Sequence, residues 1–287
     1  MKAKWLIESD SFWWGQPNRF TPALEKLKVD SKIIKFKPEG DYQDHFEKDS
    51  IVILKGSLEF VKQIEKIGRY KLAFWDGIDK FKCSVYYSYY GEYMANGHNY
   101  FFLSLGELRR RIQEIISRYG NDFFIRPDSG GKEFTGHMVD NLMATAFDPE
   151  LTIKERKELN LTVLNNKLKK YSYGEISPEE MVLITNSRKI DEEYRFFVVD
   201  REVIAGSTYM ENGSHEEKPE YPKEAFELAE RIAKIEWRPA VAFTVDVCKM
   251  YGIYKVLEIN SFNCSDIYAC DPEAIIQKAS EYVERLV

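Results

Sequence analysis

A chain of 287 residues with 44% hydrophobic and 31% charged side chains has enough apolar surface for two or three cores, which excludes a disordered polymer. Its 41 Lys and Arg face 47 Asp and Glu, a net charge of −6, and an acidic surface argues against nucleic acid as the main partner. Mean hydropathy is −0.44, and no apolar run nears the ~20 residues of a membrane span, so no membrane partner is expected.

The first residues, Met1-Lys2-Ala3-Lys4-Trp5-Leu6, lack the apolar stretch of a secretory signal. Cys83, Cys248, Cys264 and Cys270 show no metal-ligand spacing and read as reduced thiols of a cytoplasmic protein. His45, His98, His137 and His215 are too scattered for a zinc site.

Short β-branched runs at 4–8, 32–36 and 51–54 alternate with helical patterns at 22–28 and 57–68, the second closed by Gly68. This predicts a small α/β domain over residues 1–75 with a partly parallel sheet. It has no G-x-G-x-x-G. Trp13-Trp14-Gly15 falls in the first strand-to-helix connection and reads as a hydrophobic plug. Residues 72–100 are aromatic and turn-rich, and one amphipathic helix is predicted over 105–119, with Leu108, Ile112, Ile115, Ile116 and Tyr119 on a single stripe.

A strand then enters a glycine-rich loop, Arg126-Pro127-Asp128-Ser129-Gly130-Gly131-Lys132, with Gly136 beyond. Glycine amides and a lysine suit phosphate oxygens, but His137 stands where a P-loop has Lys, and on its own the loop reads as a hairpin turn. Residues 148–180 read as helices with a surface insertion, followed by strands at 181–185, 194–199 and 203–209 with a tight turn at Asp200-Arg201. Helices at 222–236 and 272–286 flank two strands, 241–249 and 253–260. Arg195 lies among bulky apolar neighbours in its strand, so it needs an anion, either a structural carboxylate or a phosphate.

The last two strands carry the strongest chemical signal. Side chains alternate along a strand, so Glu258 and Asn260 share a face. A two-residue turn at Tyr251-Gly252 would set Asp246 opposite Leu257, on the wrong face. A three-residue loop, Met250-Tyr251-Gly252, pairs Asp246 with Val256 and leaves Val245, Val247, Leu257 and Ile259 on one dry face. The apolar pattern selects that loop, and Asp246, Glu258 and Asn260 then converge as a hard-cation site suited to Mg²⁺.

Taken in order, the segments Phe124-Ile125-Arg126-Pro127-Asp128-Ser129, Lys132-x-Phe134-Thr135-Gly136, Glu193-Tyr194-Arg195-Phe196-Phe197 and Leu257-Glu258-Ile259-Asn260-Ser261-Phe262-Asn263 resemble the ATP-grasp superfamily. More narrowly they resemble its R2K clade, many of whose members are phage-borne. The resemblance covers roughly residues 74–287. It implies an ATP-grasp fold of two α+β subdomains, 76–185 and 186–287, preceded by a small α/β pre-ATP-grasp domain over 1–75.

It also implies ATP and Mg²⁺ as cofactors, with Asp246, Glu258 and Asn260 as metal ligands. Arg126 stands where many members have a phosphate-binding Lys. Ser129, Gly130, Gly131 and Lys132 match the flexible loop over the phosphates, and Arg195 matches a basic residue at the phosphates or the acyl-phosphate. Leu183 and Ile184 lie in the strand placed as the adenine hinge. Arg195 and Lys132 are the residues assigned to catalysis.

The implied activity is an ADP-forming ligase that activates a carboxylate as an acyl-phosphate for attack by an amine or thiol, on small-molecule or peptide substrates. A kinase and a non-catalytic nucleotide-binding module are the alternatives. Ser261, Asn263, Asp266 and Tyr268 follow the metal strand as candidates for an acceptor pocket, with Arg19 a weaker one, read as an exposed loop residue.

Overall fold

The computed structural model describes residues 2–9, 19–40, 42, 45–131, 133–142 and 151–286. The chain divides into two compact units, Met1–Lys80 with Ile190–Val287, and Phe81–Lys189. Among the described residues no helix is long and apolar enough to cross a membrane. All four cysteines are free thiols, and Cys83, Cys248 and Cys270 are buried.

In the first unit, β1 (Lys4–Glu8), β2 (Asp30–Ile34), β3 (Ile51–Lys55) and β4 (Lys71–Ala73) form a sheet of order β2-β1-β3-β4. Its pairs are all parallel, beyond the partly parallel sheet expected. Helices α1 (Phe20–Leu27) and α2 (Leu58–Ile67) follow β1 and β3. Gly68 ends α2 with φ 65°, a left-handed cap that glycine adopts at no steric cost. Alternation along β1 divides its side chains between two cores. Leu6 joins Val52, Leu54, Phe60 and Ile64, while Trp5 and Ile7 join Ile53, Phe20, Phe197, Phe262 and helix α8 (Pro272–Arg285).

The second sheet of this unit is antiparallel, with order β11-β10-β9-β12-β13. Its strands are β9 (Glu192–Val199), β10 (Glu202–Glu211), β11 (Ser214–Lys218), β12 (Ala242–Met250) and β13 (Ile253–Ser261). Helix α7 (Lys223–Lys234) covers one face, where Phe196 meets Tyr221 and Phe226. On the other face Val199 and Phe197 belong to the shared apolar core, and the same row of β9 continues into Arg195 and Glu193. Core gives way to polar site along a single strand.

The other unit has an antiparallel sheet of order β5-β8-β6-β7, from β5 (Tyr100–Ser104), β6 (Phe123–Pro127), β7 (His137–Val139) and β8 (Met181–Thr185). Helices α4 (Leu105–Arg110), α5 (Ile112–Tyr119) and α6 (Ile153–Tyr171) supply its core with Leu108, Ile112, Ile115, Leu164 and Leu168.

Three expectations change here. The helix expected over 105–119 is broken at Arg111, whose φ of −102° and ψ of 18° lie outside the helical basin, although the apolar stripe stays buried. The turn-rich stretch contains helix α3 (Cys83–Tyr90), because Tyr86, Tyr87 and Tyr90 fall on one buried side. The insertion expected within 148–180 includes one long helix, α6, opened by a capping box between Thr152 and Glu155.

Candidate functional site

The acidic site is assembled on the β9–β12–β13 face by register. Asp246 pairs with Arg195 on β9 and with Glu258 on β13, while Thr244 pairs with Asn260. The route differs from the three-residue loop expected. Met250 pairs with Ile253, so the turn is the two-residue Tyr251-Gly252, with φ of 50° and 77°, both positive as a type I′ turn requires. Parity is restored by a bulge: Val247 pairs with Val256 and Asp246 with Glu258, leaving Leu257 as the extra residue. The three oxygen-bearing side chains therefore share a face through a bulge and not through the loop.

Asp246 is fully buried and Arg195 is 5% exposed. Arg195 Nε donates to Asp246 Oδ1 at 2.8 Å and Nη2 to Oδ2 at 2.6 Å, a bidentate pair. The anion that a buried Arg195 requires is thus a carboxylate of this chain. Arg195 Nη1 donates to the Asp266 carbonyl at 3.1 Å, and Nη2 lies 4.0 Å from Glu258 Oε1. Asn260 Nδ2 donates to Asp246 Oδ2 at 3.2 Å and to Glu258 Oε1 at 2.8 Å.

One amide group therefore sits at the point where two carboxylates converge. Turning that amide over presents Oδ1 instead and yields an all-oxygen donor set, which fits a hard divalent cation. Among the described residues no cluster of three or more His, Cys, Asp or Glu is arranged to hold a metal. The candidate set is two carboxylates and an amide.

Burial pushes the Asp246 carboxyl up from the usual carboxylate range against the pull of Arg195, and the Glu258 charge adds to the rise. Two residues before Arg195, Glu193 is pushed up to about 7 by burial, with the Tyr209 hydroxyl donating to it and opposing the rise. Tyr209 stacks on Tyr268 at 4.5 Å, and the Arg195 guanidinium lies 4.7 Å from the Tyr268 ring. Glu193 and Tyr209 were given no role in the sequence reading. Period two from Arg195 along β9 is the signal that places Glu193 on this face.

The acceptor-pocket candidates fare differently. Asn263 is fully buried and donates to the Leu54 carbonyl at 3.0 Å, so it fixes a loop and does not line a pocket. Ser261 Oγ accepts from the Asn263 amide. Asp266 Oδ1 accepts from the amides of Ile267 and Tyr268. Arg19 is no exposed loop residue. It lies at the N-cap of α1, pairs with Glu217 and donates to the Tyr268 carbonyl. Trp13, Trp14 and Gly15 lie outside the described residues.

In the other unit, Arg126 on β6 pairs directly with Leu183 on β8, so two nucleotide-site candidates share a face. Arg126 is half-buried, and its charge opposes the rise that burial imposes on the Tyr86 and Tyr87 hydroxyls of α3. Ile184 points the other way, into the apolar core. β8 is an interior strand, so the main-chain groups of Leu183 and Ile184 face β5 and β6, and the chain leaves the sheet at Asn186.

Asp128 Oδ1 accepts from the Ser84 amide at 2.8 Å, in the first turn of α3. Ser129 Oγ accepts from the Gly131 amide at 2.8 Å and donates to Glu133 Oε1 at 2.9 Å, so Ser129, Gly130 and Gly131 form a turn closed on itself. A Cβ on Gly131 would come within 2.8 Å of Glu133 Oε1. Lys132 lies outside the described residues.

Structures similar over nearly the whole chain include D-alanine–D-alanine ligase from Bacillus anthracis complexed with ATP, at 15% identity and TM-score 0.58, covering 99% of each chain. The D-cycloserine synthetase DcsG matches at 11% identity and TM-score 0.56, over 99% of this chain and 100% of that one. The ATP-grasp ligase PsnB, complexed with a minimal precursor, matches at 14% identity and TM-score 0.51, over 97% and 99%. No curated protein sequence matches significantly. These likenesses establish the ATP-grasp fold, two α+β parts preceded by an α/β part, while a sequence profile matches residues 132–278, more than half of the chain. The chain belongs to the family described as ATP-grasp domain, R2K clade family 3.

Proposed function

We propose that this protein is an ATP- and Mg²⁺-dependent ligase that joins a carboxylate to an amine or thiol through an acyl-phosphate. The observation that carries the reading is the convergence of Asp246, Glu258 and Asn260 beside buried Arg195 within an ATP-grasp fold. In such a reaction a substrate carboxylate oxygen attacks the γ-phosphorus, the bond to the β–γ bridging oxygen breaks, and ADP leaves with that electron pair. The amine or thiol then adds to the acyl carbon and phosphate departs. The first step brings two anions together, and the second builds negative charge on the acyl oxygen and the departing phosphate while the amine or thiol gives up its proton, so the protein must supply aligned positive charge and not a nucleophile of its own.

Asp246, Glu258 and Asn260 would hold Mg²⁺, which when bound neutralises phosphate oxygens. Arg195 sets the orientation of Asp246 through two hydrogen bonds and adds a fixed charge beside Glu258. In the other unit Arg126, the Ser129-Gly130-Gly131-Lys132 loop and the segment from Leu183 and Ile184 into the coil after Thr185 are the proposed nucleotide contacts. We assign residues 1–75, 76–185 and 186–287 as the three working parts. The substrates are proposed to be small-molecule or peptide carboxylates and amines, and the location cytoplasmic.

Calorimetric titration of ATP with and without Mg²⁺ tests the reading. Binding by the wild type should require Mg²⁺, and Glu258→Ala should weaken it by about 10–100-fold, the usual effect of losing a group that holds or orients a metal. Unchanged binding in Glu258→Ala, with a native melting profile, would falsify the metal assignment. An ADP-release screen over carboxylate and amine pairs then finds the substrates, and product analysis separates ligation, which joins the amine and frees phosphate, from kinase activity, which leaves a phosphorylated product with no amine joined.

A further inference from the structure

Lys55 lies at the end of the apolar strand β3, and it is fully buried. It follows Ile53 on the side of the sheet that faces Phe197 and Phe262, and Nζ lies 5.1 and 5.4 Å from those rings. Nζ donates to the Phe262 carbonyl at 2.6 Å and to the Ser265 carbonyl. Among the described residues no carboxylate is bonded to it. Burial lowers its pKa to about 7, with Cys264, Asp266 and Cys270 raising it and Arg195 lowering it. A neutral amine still has two N–H donors for the two carbonyls, so the anchor holds in either protonation state.

The segment that Lys55 grips is the one that faces Arg195. Its Asp266 carbonyl accepts from Arg195, and its Tyr268 stacks against Tyr209 beside the guanidinium. Tyr268 has a φ of 46°, a left-handed conformation that a bulky residue keeps only where its surroundings hold it. The same segment is tied to the first sheet three times more, by the Gly56 amide donating to the Asn263 carbonyl at 3.0 Å and by Asn263 Nδ2 donating to the Leu54 carbonyl at 3.0 Å and to the Ala73 carbonyl at 3.4 Å.

We infer that Lys55 is a positioning residue that holds the 262–268 segment against Arg195 and so orients the Arg195–Asp246 pair. The anchoring stands on geometry alone, and its effect on nucleotide rests on the ligase reading.

The test compares wild type with Lys55→Met, close in shape but without donors, and with Lys55→Gln, which keeps an amide donor should the Met variant fail to fold. Three readouts are taken: melting temperature, hydrogen exchange along the chain, and calorimetric MgATP binding. We expect near-native melting, exchange faster by about tenfold or more across 262–270 alone, and MgATP binding weaker by about 10–100-fold, the range seen when an outer positioning partner is lost. Unchanged exchange and affinity would overturn the proposal. So would faster exchange spread evenly over the first sheet, which would mark Lys55 as a general stabiliser. If wild type fails to bind MgATP, the ligase reading falls, while local exchange at 262–270 still decides the anchoring.

Discussion

At the scale of single residues, Arg195 and Asp246 form an ion pair withdrawn from water, and that fixes how each responds to loss of the other. Removing one partner leaves a buried charge uncompensated, at a cost of about 3–5 kcal/mol, whereas replacing both by apolar groups of similar volume is often neutral. Arg195→Met and Asp246→Leu should each lower the free energy of unfolding by that amount in urea titration. The double variant should lie closer to wild type than either single one; if the two losses simply add, the pair is not coupled as described. The need of Arg195 for an anion was legible in the sequence, because a buried Arg inside an apolar strand must be paired. The identity of that anion was not, since it depends on which strand lies beside β9. Lys55 escaped notice for the same reason: one charge at a strand end acquires meaning only when carbonyls from 207 and 210 residues away close on it.

At the scale of elements, the β12–β13 hairpin shows what a sequence pattern can and cannot determine. The demand for one dry face put Asp246, Glu258 and Asn260 together, because a strand's side chains have only two directions to choose from, but the bulge sets the fully buried Val256 opposite Val247 on that face in place of Leu257. Two devices satisfy that demand, an odd-length loop or a bulge, and the pattern does not distinguish them. Tyr251 carries strain that the loop reading missed, with φ of 50° in a turn that favours Asn-Gly. Tyr251→Asn should therefore raise stability by roughly 0.5–1 kcal/mol, relieving left-handed strain in a residue that is already exposed. A chemical melt showing no gain, or a loss, would contradict the turn geometry. β11 was overlooked although Asn212-Gly213 is a strong hairpin signal, because Ser-His-Glu-Glu-Lys offers no apolar alternation. β4 and β7 have three residues each, too few for a period to be seen.

At the scale of the molecule, each compact unit has a core of its own. Among the described residues, the core of Phe81–Lys189 draws only on that interval and includes the fully buried Leu164 of α6. Leu164→Ala should cost about 2–5 kcal/mol, the usual effect of deleting a buried leucine side chain. In scanning calorimetry the loss should fall on one transition and leave the other in place, whereas a uniform shift of the whole melt would show the two units to unfold as one. The alternation of strands and helices announced the α/β character of the first part. What the sequence left hidden is that its sheet shares a core with α8, for contacts at such separation leave no local pattern. Trp5 Nε1 donates to Ser280 Oγ at 3.0 Å across 275 residues of chain, and Trp5 packs in one cluster with Ile275, Ile276, Ala279 and Val283. During synthesis the first sheet therefore emerges from the ribosome long before its apolar face can be covered. Among the described residues the core of the Phe81–Lys189 unit comes from that interval, so it can form while β1 still waits for α8. The sheet that is translated first is among the last to be completed.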